Sequence, residues 1–237
     1  MNLSMKFLYI QLKKHYEETE LHLPDDNNPY CSTVRLTPDG YWMPYYDTLY
    51  LVTQTTRELL ESTLPKTTRL VIIDSQPPAD IPYPYLFFPN TFSRSQVLND
   101  ILSIFHRYAR WSQDITEALL RNQSLQDILN ITQTVEENPI YFADPSFKML
   151  AHNFREMDQY SVIVRYQVRY HYLPFNVMMD LVETGELELL HNTPHAFYNK
   201  TKSFGTNFIS KAIRSDNKMN LPENIRRCWN TSSASYR

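Results

Sequence analysis

A chain of 237 residues holds one large or two small domains, and 42% hydrophobic with 21% charged residues is ordinary for a folded globular protein. A formal net charge of -3 supplies no overall attraction for phosphate backbones, so nucleic-acid binding needs a local basic patch. Gly40, Gly185 and Gly205 are the only glycines, too far apart to write GxGxxG or GxxxxGK(S/T), which excludes the glycine-rich dinucleotide and P-loop sites.

Cys31 and Cys228 lie at opposite ends of the chain, form no CxxC pair and read as reduced thiols. Lys6, Lys13 and Lys14 interrupt the first apolar stretch, unlike a secretory signal, and no run approaches the roughly 18 apolar residues of a membrane span. The expected compartment is the cytoplasm, with no membrane partner. The sequons at Asn122, Asn130 and Asn199 are then chance matches.

Met5, Leu8, Tyr9 and Leu12 recur at helical spacing within residues 5–16. Leu23 to Pro29 is a loop by its Pro, Asp and Asn content, and Thr37 to Gly40 is a turn. Thr48 to Thr53, Arg69 to Asp74 and Tyr85 to Phe88 are continuous apolar runs rich in β-formers, with a helix expected over Thr56 to Leu64 and a Pro-rich loop over Gln76 to Pro84. This rhythm predicts a small α/β layer of adjacent parallel strands covered on both faces.

A long helix follows from Ser93. Leu98, Ile101, Phe105, Tyr108, Ser112, Ile115 and Leu119 step by threes and fours, an apolar stripe interrupted at Ser112 that either packs on its own domain or pairs two subunits. Ser124 and Asp127 make a capping box that opens a second helix. Pro139 to Phe142 and Phe147 to Ala151 flank the turn Ala143 to Ser146 and predict an antiparallel hairpin. Helical segments are expected over Tyr160 to Tyr172, Pro174 to Glu183 and Gly185 to Leu190. Strands are expected at Ala196 to Tyr198 and Thr206 to Arg214, and an irregular tail from Asp216.

The strands DTLYL, RLVIID and YLFFP, followed by the helix VLNDILSIFHRY, resemble the N-terminal module of PucR-type regulators of purine catabolism and sugar-diacid metabolism. The stretch from Ser124-Leu-Gln-Asp-Ile-Leu through Asn138-Pro-Ile-Tyr-Phe-Ala-Asp to Phe147-Lys-Met-Leu-Ala is similar to the opening of their GAF-like sensor domain. The likeness continues at Tyr172-Leu-Pro, Gly185-Glu-Leu and Phe208-Ile and covers Asp47 to Arg214. It implies an α/β module over residues 1–92, a connector helix over 93–121, an incomplete α+β, GAF-like domain over 122–215 and a tail over 216–237. It also implies a sensor that relays a small-molecule effector to a DNA-binding part. No helix-turn-helix pattern follows Arg214, so a truncated regulator is expected, without direct DNA binding. The alternatives are a dimerising protein that pairs with itself or with a full-length regulator and, behind it, an enzyme whose active-site residues converge from distant positions.

Chemistry-bearing patterns are sparse. His191 and His195 share no helical face because Pro194 intervenes, and no third ligand lies at a matching spacing, so no metal is expected. No GxSxG elbow exists, and the carboxylate pairs Asp25-Asp26 and Glu136-Glu137 are adjacent and point apart, so neither catalysis nor a cofactor is implied. Arg165 and Arg169, four apart among tyrosines, are the best basic-aromatic group. On the family's architecture the ligand pocket lies over the sheet of the second module, with Tyr141, His152, Asn153, Tyr198 and Asn207 as candidate contacts.

Overall fold

The computed structural model describes residues 2–24, 28–37, 44–52, 64–65, 67–78, 81–136, 138–144, 146–193, 197–199 and 208–210. The fold is α/β, with six helices and a five-stranded mixed sheet among the described residues. The chain divides into two compact units, Met1–Ser112 and Gln113–Arg237. That division falls inside the long helix.

The first unit runs β1 (Leu3–Ser4), α1 (Met5–Lys13), β2 (Glu20–His22), β3 (Tyr30–Cys31), β4 (Thr33–Leu36), β5 (Thr48–Val52), β6 (Arg69–Asp74) and β7 (Tyr85–Pro89). The long helix α2 (Arg94–Leu120) follows. Strands β4 to β7 are parallel and lie side by side in chain order, and β2 closes the β7 edge antiparallel. The three apolar runs are thus neighbours, as their composition predicts. Side chains alternate between the two faces. Tyr50, Val52, Leu70, Ile72, Tyr85 and Phe87 pack on one face with Ile81, Tyr83 and Leu64. Leu49, Leu51, Val71, Leu86 and Phe88 line the other, and all five are 0% exposed.

Helices α1 and α2 cover that second face. Met5, Leu8 and Leu12 of α1 are buried, as are Val97, Ile101, Ile104, Phe105 and Tyr108 of α2. The Tyr16 ring meets Phe88 edge-on at 5.3 Å and Phe92 at 4.7 Å, and its hydroxyl donates to the Asp100 carboxylate. Burial, then that carboxylate, push the Tyr16 pKa up, so the hydroxyl remains a donor. Further along, Phe7 meets Tyr108 at 4.9 Å and Arg107 donates to Gln11 at 3.2 Å, so the two helices run antiparallel.

These contacts decide between the two readings of the α2 stripe over part of its length. Ile101, Phe105 and Tyr108 are core residues of their own chain, while Leu98 and Ile115 are half-buried and Leu119 is 39% exposed. The helix expected over Thr56 to Leu64 lies, except for Leu64, outside the described residues. The edge strands β1 to β4 were not legible, because they are two to four residues long and half polar.

The second unit carries α3 (Leu125–Thr132), β8 (Tyr141–Ala143), β9 (Met149–His152), a 3-10 turn (Met157–Gln159), α4 (Val162–Tyr170) and α5 (Phe175–Glu183). These are followed by α6 (Glu186–Asn192), β10 (Phe197–Asn199) and β11 (Phe208–Ser210). The capping box is present: Ser124 Oγ accepts from Asp127 N at 3.1 Å, and Ser124 N donates to Asp127 Oδ2 at 3.1 Å. The strands form two separate antiparallel ribbons, β8–β9 and β10–β11. Leu173, Val177 and Leu181 make a small core with Phe147, Ile163 and Met178. Gly185 takes φ +72° between α5 and α6, a conformation that costs glycine least.

Replacing Ile101 by Ala should cost about 2–5 kcal/mol in a denaturant titration, because a wholly buried side chain leaves a cavity. Replacing Leu120, 79% exposed on the same helix, should change stability by no more than about 0.5 kcal/mol.

Candidate functional site

Two strands alone are marginal in water, so the β8–β9 ribbon needs other partners. Its turn is tied by Asp144 Oδ1, which accepts from Ser146 N at 2.8 Å, Ser146 Oγ at 2.6 Å and Lys148 N at 3.0 Å. Phe147 follows at φ 61°, an unfavourable value for a bulky residue, and its ring packs with the α5 core. The free edge of β9 is taken by Gln126 of α3. Gln126 Nε2 donates to the His152 carbonyl at 2.7 Å, and Gln126 Oε1 accepts from His152 N at 3.1 Å. One side-chain amide therefore does what a neighbouring strand would do.

That clamp turns the His152 backbone away from β8, which makes Tyr141↔His152 a non-hydrogen-bonded cross-strand pair with closely approaching side chains. Phe154 lies at the centre of the group that results. Its ring stacks on His152 at 5.2 Å and 24°, and meets Tyr141 at 5.9 Å and Tyr160 at 5.0 Å. His152 Nδ1 is buried, and no group among the described residues pairs with it. Burial, then the neighbouring His171, hold the His152 pKa below its ordinary value, so the imidazole is neutral near pH 7. Burial pushes the Tyr141 pKa up to about 12, so the phenol keeps its proton. The cluster is aromatic and polar yet uncharged. Such a surface suits stacking and hydrogen bonding to a neutral planar molecule.

The structure therefore brings together two of the five expected contacts, Tyr141 and His152. Asn153 lies beside them, but its side chain is committed to the backbone: Oδ1 accepts from Ile140 N at 2.5 Å and Nδ2 donates to Asn138 O at 3.4 Å. At 6% exposed, it holds the hairpin. Tyr198 pairs with Ile209 through the β10–β11 backbone, its side chain is outside the described residues, and Asn207 is outside them altogether. Phe154, Tyr160 and Gln126 were not singled out in the sequence. The run Tyr141, His152, Phe154, Tyr160 was a usable aromatic signal. Gln126 carried none, since its partner is 26 residues away.

Among the described residues, no three His, Cys, Asp or Glu side chains gather as a metal ion would require. His195 lies outside the described residues, and only the backbone of His191 is described. No described helix is long and apolar enough to cross a membrane. No known protein-family model, curated protein or solved structure matches the chain.

Gln126→Ala should destabilise the second unit by about 1–3 kcal/mol, since two backbone groups of His152 lose their partners, and amide exchange at His152 should quicken. The depressed pKa of His152 also sets a pH dependence. Below the ordinary imidazole value of 6.5 the unfolded chain takes a proton that the folded site resists, so stability present above that value is lost as pH falls through the lower folded pKa. Melting of wild type and His152→Phe across this window should show the acid-side loss shrinking in the variant.

Proposed function

We propose that this chain is the input portion of a PucR-type transcription regulator, and that its second unit binds a small, uncharged, planar metabolite against Phe154. The observation that carries this reading is the buried, unmatched Nδ1 of His152 within the ring group of Tyr141, Phe154 and Tyr160. A buried polar atom without a partner is costly, and a ligand offering the complementary group would relieve that cost. The strained backbone on either side supports it, with Glu156 at φ 43° and His171 at φ 63°. Relay to a DNA-binding part has a physical route, because α2 runs unbroken across the division between the units.

A second reading, a protein that pairs with its own copy or with a full-length regulator, is favoured by one observation. Leu119 and Leu120 are 39% and 79% exposed at the end of α2. Light scattering separates the readings: if pairing is the function, the chain dimerises without ligand and Leu120→Asp makes it monomeric.

Thermal-shift measurements with purines, other planar heteroaromatics and aliphatic ureides test the first reading. A neutral ring compound should raise the wild-type midpoint, with about 2.7 kcal/mol of stabilisation at a hundredfold excess over Kd. His152→Ala and Phe154→Ala should abolish the shift. A shift of equal size in both variants, or none with any ring compound, rejects the site.

A further inference from the structure

A different orphaned group lies in the first unit. Arg69 opens β6 and, by strand alternation, faces the side of the sheet that carries Leu49, Leu51 and Val71, the side covered by α1 and α2. It is 9% exposed, and no group among the described residues accepts from its buried Nε or Nη1. A guanidinium is a donor only and stays charged, so an unmatched one within an apolar layer is among the most costly arrangements a core can hold.

Its surroundings leave these two nitrogens unmatched. Cys31 is 0% exposed, and its thiol is pushed up to about 12 chiefly by burial, with Arg69 pulling the value down and Asp47 raising it. Arg69, Asp47 and Cys31 therefore share one electrostatic neighbourhood. Asp47 accepts from Ser32 Oγ at 2.5 Å and reaches neither Nε nor Nη1. A second unmatched donor comes from α2, where Trp111 Nε1 is buried without an acceptor. Trp111 meets Tyr108 at 6.4 Å, and Tyr108 meets Phe7 of α1. The start of α1 is tied to β3, where Leu3 pairs with Cys31 and Met5 N donates to Pro29 O at 2.9 Å. The antiparallel run of the two helices therefore carries Tyr108 and Trp111 toward the end of the module that holds Cys31 and the start of β6. The unmatched nitrogens of Arg69 and Trp111 are all N–H donors.

The geometry points to a second ligand site, in the first unit: Arg69 receives the carboxylate of a small monoanionic molecule, with Trp111 Nε1 as a further donor at the same end of the module. Charge decides the class. One guanidinium balances one carboxylate, and its planar fork fits the two oxygens, whereas a phosphate dianion would leave excess charge in an apolar layer. This proposal is independent of the His152 cluster, whose uncharged surface suits a different ligand.

The full-length wild type, Arg69→Met and Arg69→Lys should be melted in potassium acetate, pyruvate, phosphate and chloride at equal ionic strength. Acetate or pyruvate is expected to raise the wild-type midpoint saturably by several degrees, above the effects of chloride and phosphate. Arg69→Met should melt no lower than wild type in chloride, because an unpaired buried charge is gone, and should ignore carboxylates. Arg69→Lys should respond more weakly than wild type. Intrinsic fluorescence in a Trp42→Phe, Trp229→Phe background should change over the same concentration range, reporting Trp111. Equal wild-type responses to chloride and acetate, a larger response to phosphate, a carboxylate response kept by Arg69→Met, or a lower melting point of Arg69→Met in chloride would each overturn the proposal. If Arg69→Met fails to fold, the Arg69 Nε–H resonance of the wild type decides: a saturable shift with acetate supports the site, and no shift rejects it.

Discussion

The first unit depends on one constraint: its three central strands are apolar on both faces. Burying only one face of β5, β6 and β7 would leave the other in water, and a sheet of this kind is stable only between two covering layers. The Pro-rich loop supplies Ile81 and Tyr83 on one side, while α1 and α2 supply the other. Antiparallel β2 then closes the β7 edge, which would otherwise present unpaired backbone. The Tyr16 hydroxyl, donating to Asp100, joins the segment after α1 to α2 across this layer.

The second unit solves a different problem by other means. Its described strands form ribbons of two, and side chains bond backbone groups beside them. Gln126 replaces a strand beside His152, Asn153 binds the backbone of residue 140, and Asp144 ties the turn. Each of these contacts fixes where the rings of Tyr141, His152 and Phe154 stand. The site's electrostatics follow from the same packing: burial keeps the imidazole neutral and the phenol protonated.

Both units break the rule that buried polar groups are paired, and they break it in chemically different ways. At His152 the unmatched atom belongs to a neutral ring among aromatics. At Arg69 it belongs to a permanent cation in the sheet core, in the neighbourhood of Cys31 and Asp47. Exceptions to an otherwise consistent fold are where function is expected to reside, because the stability lost there must be offset by the rest of the core.

Local pattern by itself determined the α/β class, the three adjacent strands, the capping box at Ser124, the long helix and the β8–β9 hairpin. Each is written in the period or turn chemistry of a short stretch, and short-range sterics act on every chain alike. Tyr141 and His152 were named through the family resemblance, and the fold sets them opposite each other across a hairpin with a register shift. Only the tertiary structure decided that Ile101, Phe105 and Tyr108 serve their own core, that Asn153 holds backbone, and that Phe154 sits at the centre of the ring group. It alone showed Arg69 at the start of an apolar strand, its Nε and Nη1 buried with no acceptor among the described residues. Those outcomes rest on contacts between residues far apart in the chain, and no local period records which distant surface a side chain meets.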